Sequence, residues 1–285
     1  MSSLKVPHLD LPTFDTLVDV VGNPTASDLH LFLNGNQFMV MEDLLAAFRA
    51  AYPTFSRIYY ETLPPGILAS QIQAEGRIDI GTLSLSVHAD VYTAGRDEMT
   101  RLRSYLLDPL PYAANQLALL VQKENPKHIT GFSDLGRNEV RVAMPNPETE
   151  GIARLARRAL ELVGGPALRD TVFIEKHQAG TTLFTTVHHR ETVDWLERDR
   201  ADVGVVWESE ARFAVASGRR AVPLSLTSFK ANPVGKYVAA GLKQAPHPKA
   251  RDAFLAFLQS SECEAIYSRY GFLSPDANPH VFAGF

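Results

Sequence analysis

The strongest constraint on what this chain can fold into is a repeated rhythm of strand, polar turn and helix. LHLFLN (residues 29–34) alternates as a strand does, NGNQ follows as a turn, and VMEDLLAAFRAAY (40–52) sets Leu44, Leu45, Phe48 and Tyr52 on one helical face. The unit then recurs. RIYYET (57–62) reads as a second strand stopped by Pro64-Pro65-Gly66, and ILASQIQAE (67–75) reads as a helix with Pro65 or Gly66 near its start. RIDIGTLSL (77–85) is the expected third strand, and residues 99–107 an expected helix closed by Asp108-Pro109-Leu110-Pro111. Strands separated by helices predict a parallel sheet with right-handed crossovers.

QLALLVQ (116–122) is a continuous apolar run suited to a strand buried on both faces. The rhythm restarts with EVRVAMP (139–145), a loop over 146–151 and a long helix over 152–163. TVFIEK (171–176) is the next expected strand, 203–207 another, and KYVAAGL (236–242) the last, before closing helices over 250–260 and 263–270. Residues 1–28, with Pro7, Pro12 and Pro24, read as an extended arm. At 285 residues the chain is long enough for about two domains.

Composition excludes several classes of partner. Lys plus Arg number 28 against 32 Asp plus Glu, a net charge of −4, so nothing points to nucleic acid or anionic lipid. No window approaches 18 apolar residues, so membrane insertion is not expected. The single cysteine, Cys263, excludes an intrachain disulfide and falls beside Ile266 on a helix face, where a buried, inert thiol is expected. Asp10, Asp15 and Asp19 interrupt every early apolar run, so the chain as written carries no signal peptide. It is expected in the cytoplasm, or in the periplasm if a leader was removed.

One stretch concentrates ligand-touching side chains: VHHRETVDWLERDRADVGVVWESEA (187–211). It reads as a polar loop (His188, His189, Arg190, Glu191), an amphipathic helix, and an apolar strand ending at Trp207 and Glu208. Arg190 can clamp an oxyanion or pair with Glu191; Glu208 can meet a ligand or cap a helix; Trp207 can line a site or simply pack. His188, His189, Glu191 and Glu208 could instead hold a metal ion, although adjacent histidines lack the spacing of a helical metal motif. No GxSxG is present, no GxGxxG follows a strand, and the lysine of GKY at Gly235 has no phosphate-binding loop before it. No catalysis and no cofactor are expected.

Several segments together resemble the substrate-binding proteins of ABC importers with the type II periplasmic-binding fold, most closely the molybdate-binding group. They are LHLFLNGNQFMVMEDLLAAFRAAYP, PPGILASQI, NQLALLVQKENPKHITGFSDLG, VRVAMPNPETEGIARLA, ADVGVVWESEA and HPKARDAFLAFLQSSECEAIYSRYGF, spanning most of 29–273. The resemblance implies an α/β fold of two lobes, 29–115 with 236–285 and 116–235. Each would be a mainly parallel sheet flanked by helices, the two joined by crossings near 110–116 and 231–237. It implies a monomer that captures a small ligand, an oxyanion such as molybdate or tungstate, for an ABC permease. A cytoplasmic sensor or carrier of the same fold is the alternative.

The implied ligand contacts are Asn34, Gly35 and Asn36 in the first loop, Pro65 and Gly66 in the second, Glu150 before the long helix, His188, His189, Arg190 and Glu191, and Trp207 with Glu208. Glu61 falls beside them at the end of the second strand. The first two loops read NGN and PPG here, where the molybdate group carries serines. The glutamates matter as well, since a carboxylate at 4 Å from an oxyanion costs on the order of 1–4 kcal/mol at effective dielectrics of 80 to 20. Either these carboxylates point away, or the ligand is not simple molybdate.

Overall fold

In the computed structural model the described residues are 19–186, 190–224, 232–275 and 278–282. One ten-stranded mixed sheet runs through the molecule in the order β1-β3-β2-β6-β12-β7-β10-β8-β9, with β11 pairing β7. Its first half is built on β2 (Leu29–Phe32), β3 (Ile58–Glu61) and β6 (Val91–Gly95), which lie parallel. Its second half is built on β8 (Val142–Met144), β9 (Thr182–Phe184) and β10 (Val203–Trp207), also parallel. The centre is antiparallel: β7 (Leu110–Val121) pairs with β12 (Val234–Gly241) along its first part, and with β10 and β11 (Val222–Leu224) along its second.

The buried apolar residues divide in the same way. Two core clusters draw on residues 29–113 and 237–272, and two others on residues 117–221, so β7 passes from one pair of cores to the other. In the first half, Phe48 of helix α1 (Met41–Ala51) meets Phe254 and Phe257 of α7 (Pro248–Leu258) edge-on. Cys263, in α8 (Ser261–Arg269), is buried as expected, and burial pushes its thiol up to about 12. Among the described residues no helix is long and apolar enough to cross a membrane.

Three expected elements differ. RIDIGTLSL is two strands, β4 (Arg77–Ile80) and β5 (Leu83–Ser86), paired as a separate hairpin around Gly81, whose φ of +61° a glycine adopts without strain. The third parallel strand is VYTAG (β6), which the sequence reading passed over. TVFIEK is helical: the helix α4 (Ile152–Asp170) breaks at Gly164-Gly165, restarts at Pro166 and continues through a π-helical turn at Thr171–Glu175. Its β-prone composition is overridden by packing, since Val172 and Phe173 enter the second core, and Lys176, 4% exposed, donates to Val140 O at 2.6 Å and to Arg137 O. Within the expected arm, Val20–Val21 forms β1 on the edge of β3.

Candidate functional site

Strands β2, β6, β8 and β10 all deliver their C-terminal ends to one cleft of about 870 Å³ between the two halves of the sheet. That is the usual place for a ligand in an open α/β sheet. Asn34 and Asn36 enter from the turn after β2, Pro64–Gly66 from the start of α2 (Pro65–Gln73), and Gly95–Glu98 from the start of α3 (Arg96–Arg101). The opposite wall is the 147–151 loop and the first turns of α4. Trp207 and the 234–237 segment of β12 form the floor.

Helices α2, α4 and α6 (Glu208–Ala216) each begin at this cleft, so the positive ends of three helix dipoles face it. Its lining also carries Arg96, Arg101, Arg154, Arg157, Arg158 and Lys236, against Asp97, Glu98, Glu148, Glu150 and Glu161. Glu150 is already engaged: its Oε1 accepts from the Asn146 N–H at 3.0 Å and from the Thr185 hydroxyl, which fixes the loop that opens α4. Arg154 pairs with Asp97 at 2.8 Å across the cleft, but both side chains are well exposed and such a pair contributes little. Arg157 stacks on Phe173 with its guanidinium 4.8 Å from the ring centre.

A sequence profile of bacterial extracellular solute-binding proteins matches residues 29–273. The chain belongs to that family. It is 26% identical over 208 residues to the sulfate-binding protein of Escherichia coli K12, covering 70% of this chain and 63% of that one. Against other curated relatives the chain spans about half their length. Two solved structures share the fold. They are the sulfate-binding protein SubI of Mycobacterium tuberculosis (TM-score 0.68, 17% identity, 89% of this chain and 90% of that one) and the periplasmic molybdate-binding protein of Azotobacter vinelandii (0.65, 15%, 87% and 99%). The two-lobed periplasmic-binding-protein-like architecture implied by the sequence is therefore the fold of this solute-binding protein, and its family is one of carriers, not enzymes.

Of the expected contact residues, Asn34, Asn36, Pro65, Gly66, Glu150 and Trp207 do line the cleft. Gly35 lies behind it, buried in the 3-10 turn Gly35–Val40 with its N–H donating to Leu63 O at 3.1 Å. Glu61 is a correction. It is wholly buried beneath the sheet, where Tyr59 Oη and Gln71 Nε2 donate to its Oε1 at 2.7 and 3.0 Å. Glu208 turns back along α6 to Arg212 at 2.8 Å, and Glu191 accepts from the Thr186 N–H at 2.6 Å, so neither wall of the cleft contains them. Arg190 reaches across to Asp19 at 2.9 Å and covers the Phe38 ring at 4.7 Å, tying the second half of the molecule to β1 rather than clamping the cleft. His188 and His189 lie outside the described residues.

The metal alternative gains nothing from Glu191 and Glu208, which are held by the partners just named. Among the described residues the grouping of metal-ligating type is His30, Asp90 and His247. It sits near the opposite end of β2 from the cleft, and its atoms bond one another. The Asp90 carboxylate accepts from the His30 and His247 N–H groups at 2.7 and 2.6 Å and lies 2.9 Å from His247 Nδ1, while His30 Nδ1 meets His88 O at 2.8 Å. The residues that sequence reasoning missed are the arginines of α3 and α4 together with Lys236 and Tyr237. The signal for the second group was present, because Arg154, Arg157 and Arg158 share a helical face in the first turns of a helix that starts at a ligand loop.

The buried Glu61 has a consequence for pH. Burial raises its carboxyl above the ordinary range, against the two hydrogen bonds that favour the ionised form. With the folded-state pKa raised, stability is greatest below the unfolded value and falls as pH climbs towards the folded one. Glu61→Gln, which keeps the shape without the charge, is expected to be more stable than the parent at pH 8. That advantage should shrink towards pH 4 in thermal melts; a pH-independent difference would show that Glu61 does not titrate in this way.

Proposed function

We propose that this protein captures a tetrahedral oxyanion in the cleft and presents it to an ABC permease for import. The observation that carries the reading is the convergence of three helix N-termini on a cleft whose walls bear six cationic side chains, an arrangement suited to a compact anion. Relatives and structural neighbours that bind thiosulfate, sulfate and molybdate support these as candidates, so the proposed ligand class is sulfate, thiosulfate, molybdate or tungstate. Residues 29–115 with 236–285 and residues 116–235 act as the two lobes, and they close by bending where β7 and β12 run between them.

Titration with each of these oxyanions is expected to raise the melting temperature by mass action, with about 2.7 kcal/mol of added stability at a ligand concentration of 100 Kd. The same titration should change the emission of Trp207 in the parent and leave that of a Trp207→Phe variant, which retains Trp195, nearly unchanged. No shift with any tetrahedral oxyanion at millimolar concentration would remove the ligand class.

A further inference from the structure

The two halves also touch through side chains that lie on neither crossing strand, and one of these comes from chain ahead of the 29–273 match to the family. Asp19 directly precedes β1. Its carbonyl accepts from the Thr62 N–H at 2.8 Å and its Oδ1 from the Thr62 hydroxyl at 3.1 Å, so the end of β3 fixes the carboxylate in place. From the second half, Arg190 at the start of α5 (Glu191–Glu197) meets that carboxylate with both arms of its guanidinium. Nη2 donates to Oδ1 at 2.9 Å and Nη1 to Oδ2 at 3.3 Å. A two-armed pair of this kind is directional as well as charged.

The same guanidinium lies over the Phe38 ring, and Phe38 in turn meets Phe213 of α6 edge-on with the ring centres 5.3 Å apart. Phe38, in the turn after β2, thus takes two side chains from the second half. Beside them the stem of Arg212 lies against Gly271, where a Cβ would come within 2.7 Å of Arg212 Cδ. The Arg190 and Asp19 side chains are 35% and 11% exposed, against 69% and 65% for Arg154 and Asp97. Water screens the Asp19 pair far less, so it is the stronger of these two links between the halves.

We propose that Asp19 and Arg190, seated on Phe38, form a latch that holds the two lobes closed and sets how fast captured ligand leaves. The inference rests on capture by lobe closure as read above. Asp19 and Phe38 move with the first lobe, Arg190 and Phe213 with the second. An opening that parts the lobes here pulls the guanidinium from carboxylate and ring together. None of the four residues lines the cleft, so the latch favours the closed state equally for every ligand.

Stopped-flow tryptophan emission after dilution of the sulfate or molybdate complex tests this. Asp19→Asn keeps an acceptor for Thr62 but loses the charge, and it is expected to release ligand about tenfold faster than the parent, the scale of one well-formed charged contact. Arg190→Gln should match it, and the double variant should be no faster than either single one, because the two residues act as one contact. Asp43→Asn, which removes the same charge from an exposed pair with Arg269 inside the first half, should release at the parent's rate. Melting temperatures of the ligand-free variants separate misfolding from faster opening. A folded Asp19→Asn variant with the parent's release rate, or a double variant whose effect is the product of the single ones, overturns the latch and leaves capture standing. If the parent binds no oxyanion, capture itself fails. Small-angle scattering then decides the latch without ligand: a larger radius of gyration in Asp19→Asn than in the parent supports it, and an equal one overturns it.

Discussion

Asp90→Ala is expected to destabilise the fold by about 2–5 kcal/mol, since each buried donor left unsatisfied costs about 1–3 kcal/mol. Asp90 has no exposed surface, and its carboxylate accepts from two backbone N–H groups, of His30 and His247, and lies beside the His247 ring. Its own backbone adds two further bonds, accepting from Leu242 N and donating to His30 O, both at 2.9 Å. One side chain therefore joins the start of β2, the entry to β6 and the start of α7, three segments that are far apart in sequence. Alanine leaves two donors stranded in the interior, and each carries its own desolvation cost. Asp90→Asn, which retains one acceptor oxygen, should lose less. Urea denaturation of the three proteins would measure the order, and a loss below about 1 kcal/mol for alanine would show that water replaces the carboxylate at this site.

Gly235→Val should damage the cleft itself. A Cβ at Gly235 would lie 2.6 Å from Cη2 and 2.9 Å from Cζ3 of Trp207, closer than real contacts allow, and the ring is 6% exposed and hemmed in by Tyr237. Either the indole moves into the cleft or the pairing of Gly235 with Asn115 opens. Overpacking of this kind costs about 1–3 kcal/mol, and with the floor displaced oxyanion affinity is expected to fall by about tenfold or more. A changed Trp207 emission in the ligand-free variant would report the movement. Gly235→Ala should act in the same direction and less strongly, whereas parental emission and affinity in the valine variant would mean that β12 yields without disturbing the site.

Much of this was legible in the sequence, and the failures have physical causes. The apolar strand 203–207 was read to the residue because it is buried on both faces, and the long helix from Ile152 because its apolar positions repeat at helical spacing. TVFIEK failed because Pro166 restarts a helix just before it and tertiary packing decides its conformation. At the site, the family resemblance pointed to the loops at 34–36, 65–66 and 150 and to the strand end at Trp207, and all of these but Gly35 line the cleft. Glu208 was not placed, because the first residue of α6 points along its helix to Arg212 and not into the cleft. Glu61 was misplaced because alternation along β3 tells which residues share a face but not that Tyr59 and Gln71 would enclose one of them. The arginines of α4 lie on the solvated side of an amphipathic helix, and the solvent there is the cleft.

The pairing of β7 with β12 bears on how selectivity can arise. These strands are in register from Val234–Gln116 to Tyr237–Ala113, with an irregularity between Tyr237 and Val238, so the two connections between the halves form one ribbon held by its own hydrogen bonds. In the closure proposed above this ribbon acts as the spring, its ladder already interrupted where the pairing slips. Flexing it by a given angle demands the same work whichever anion has arrived. The spring can therefore set how tightly all ligands are held, and how fast they leave, but it cannot tell one from another.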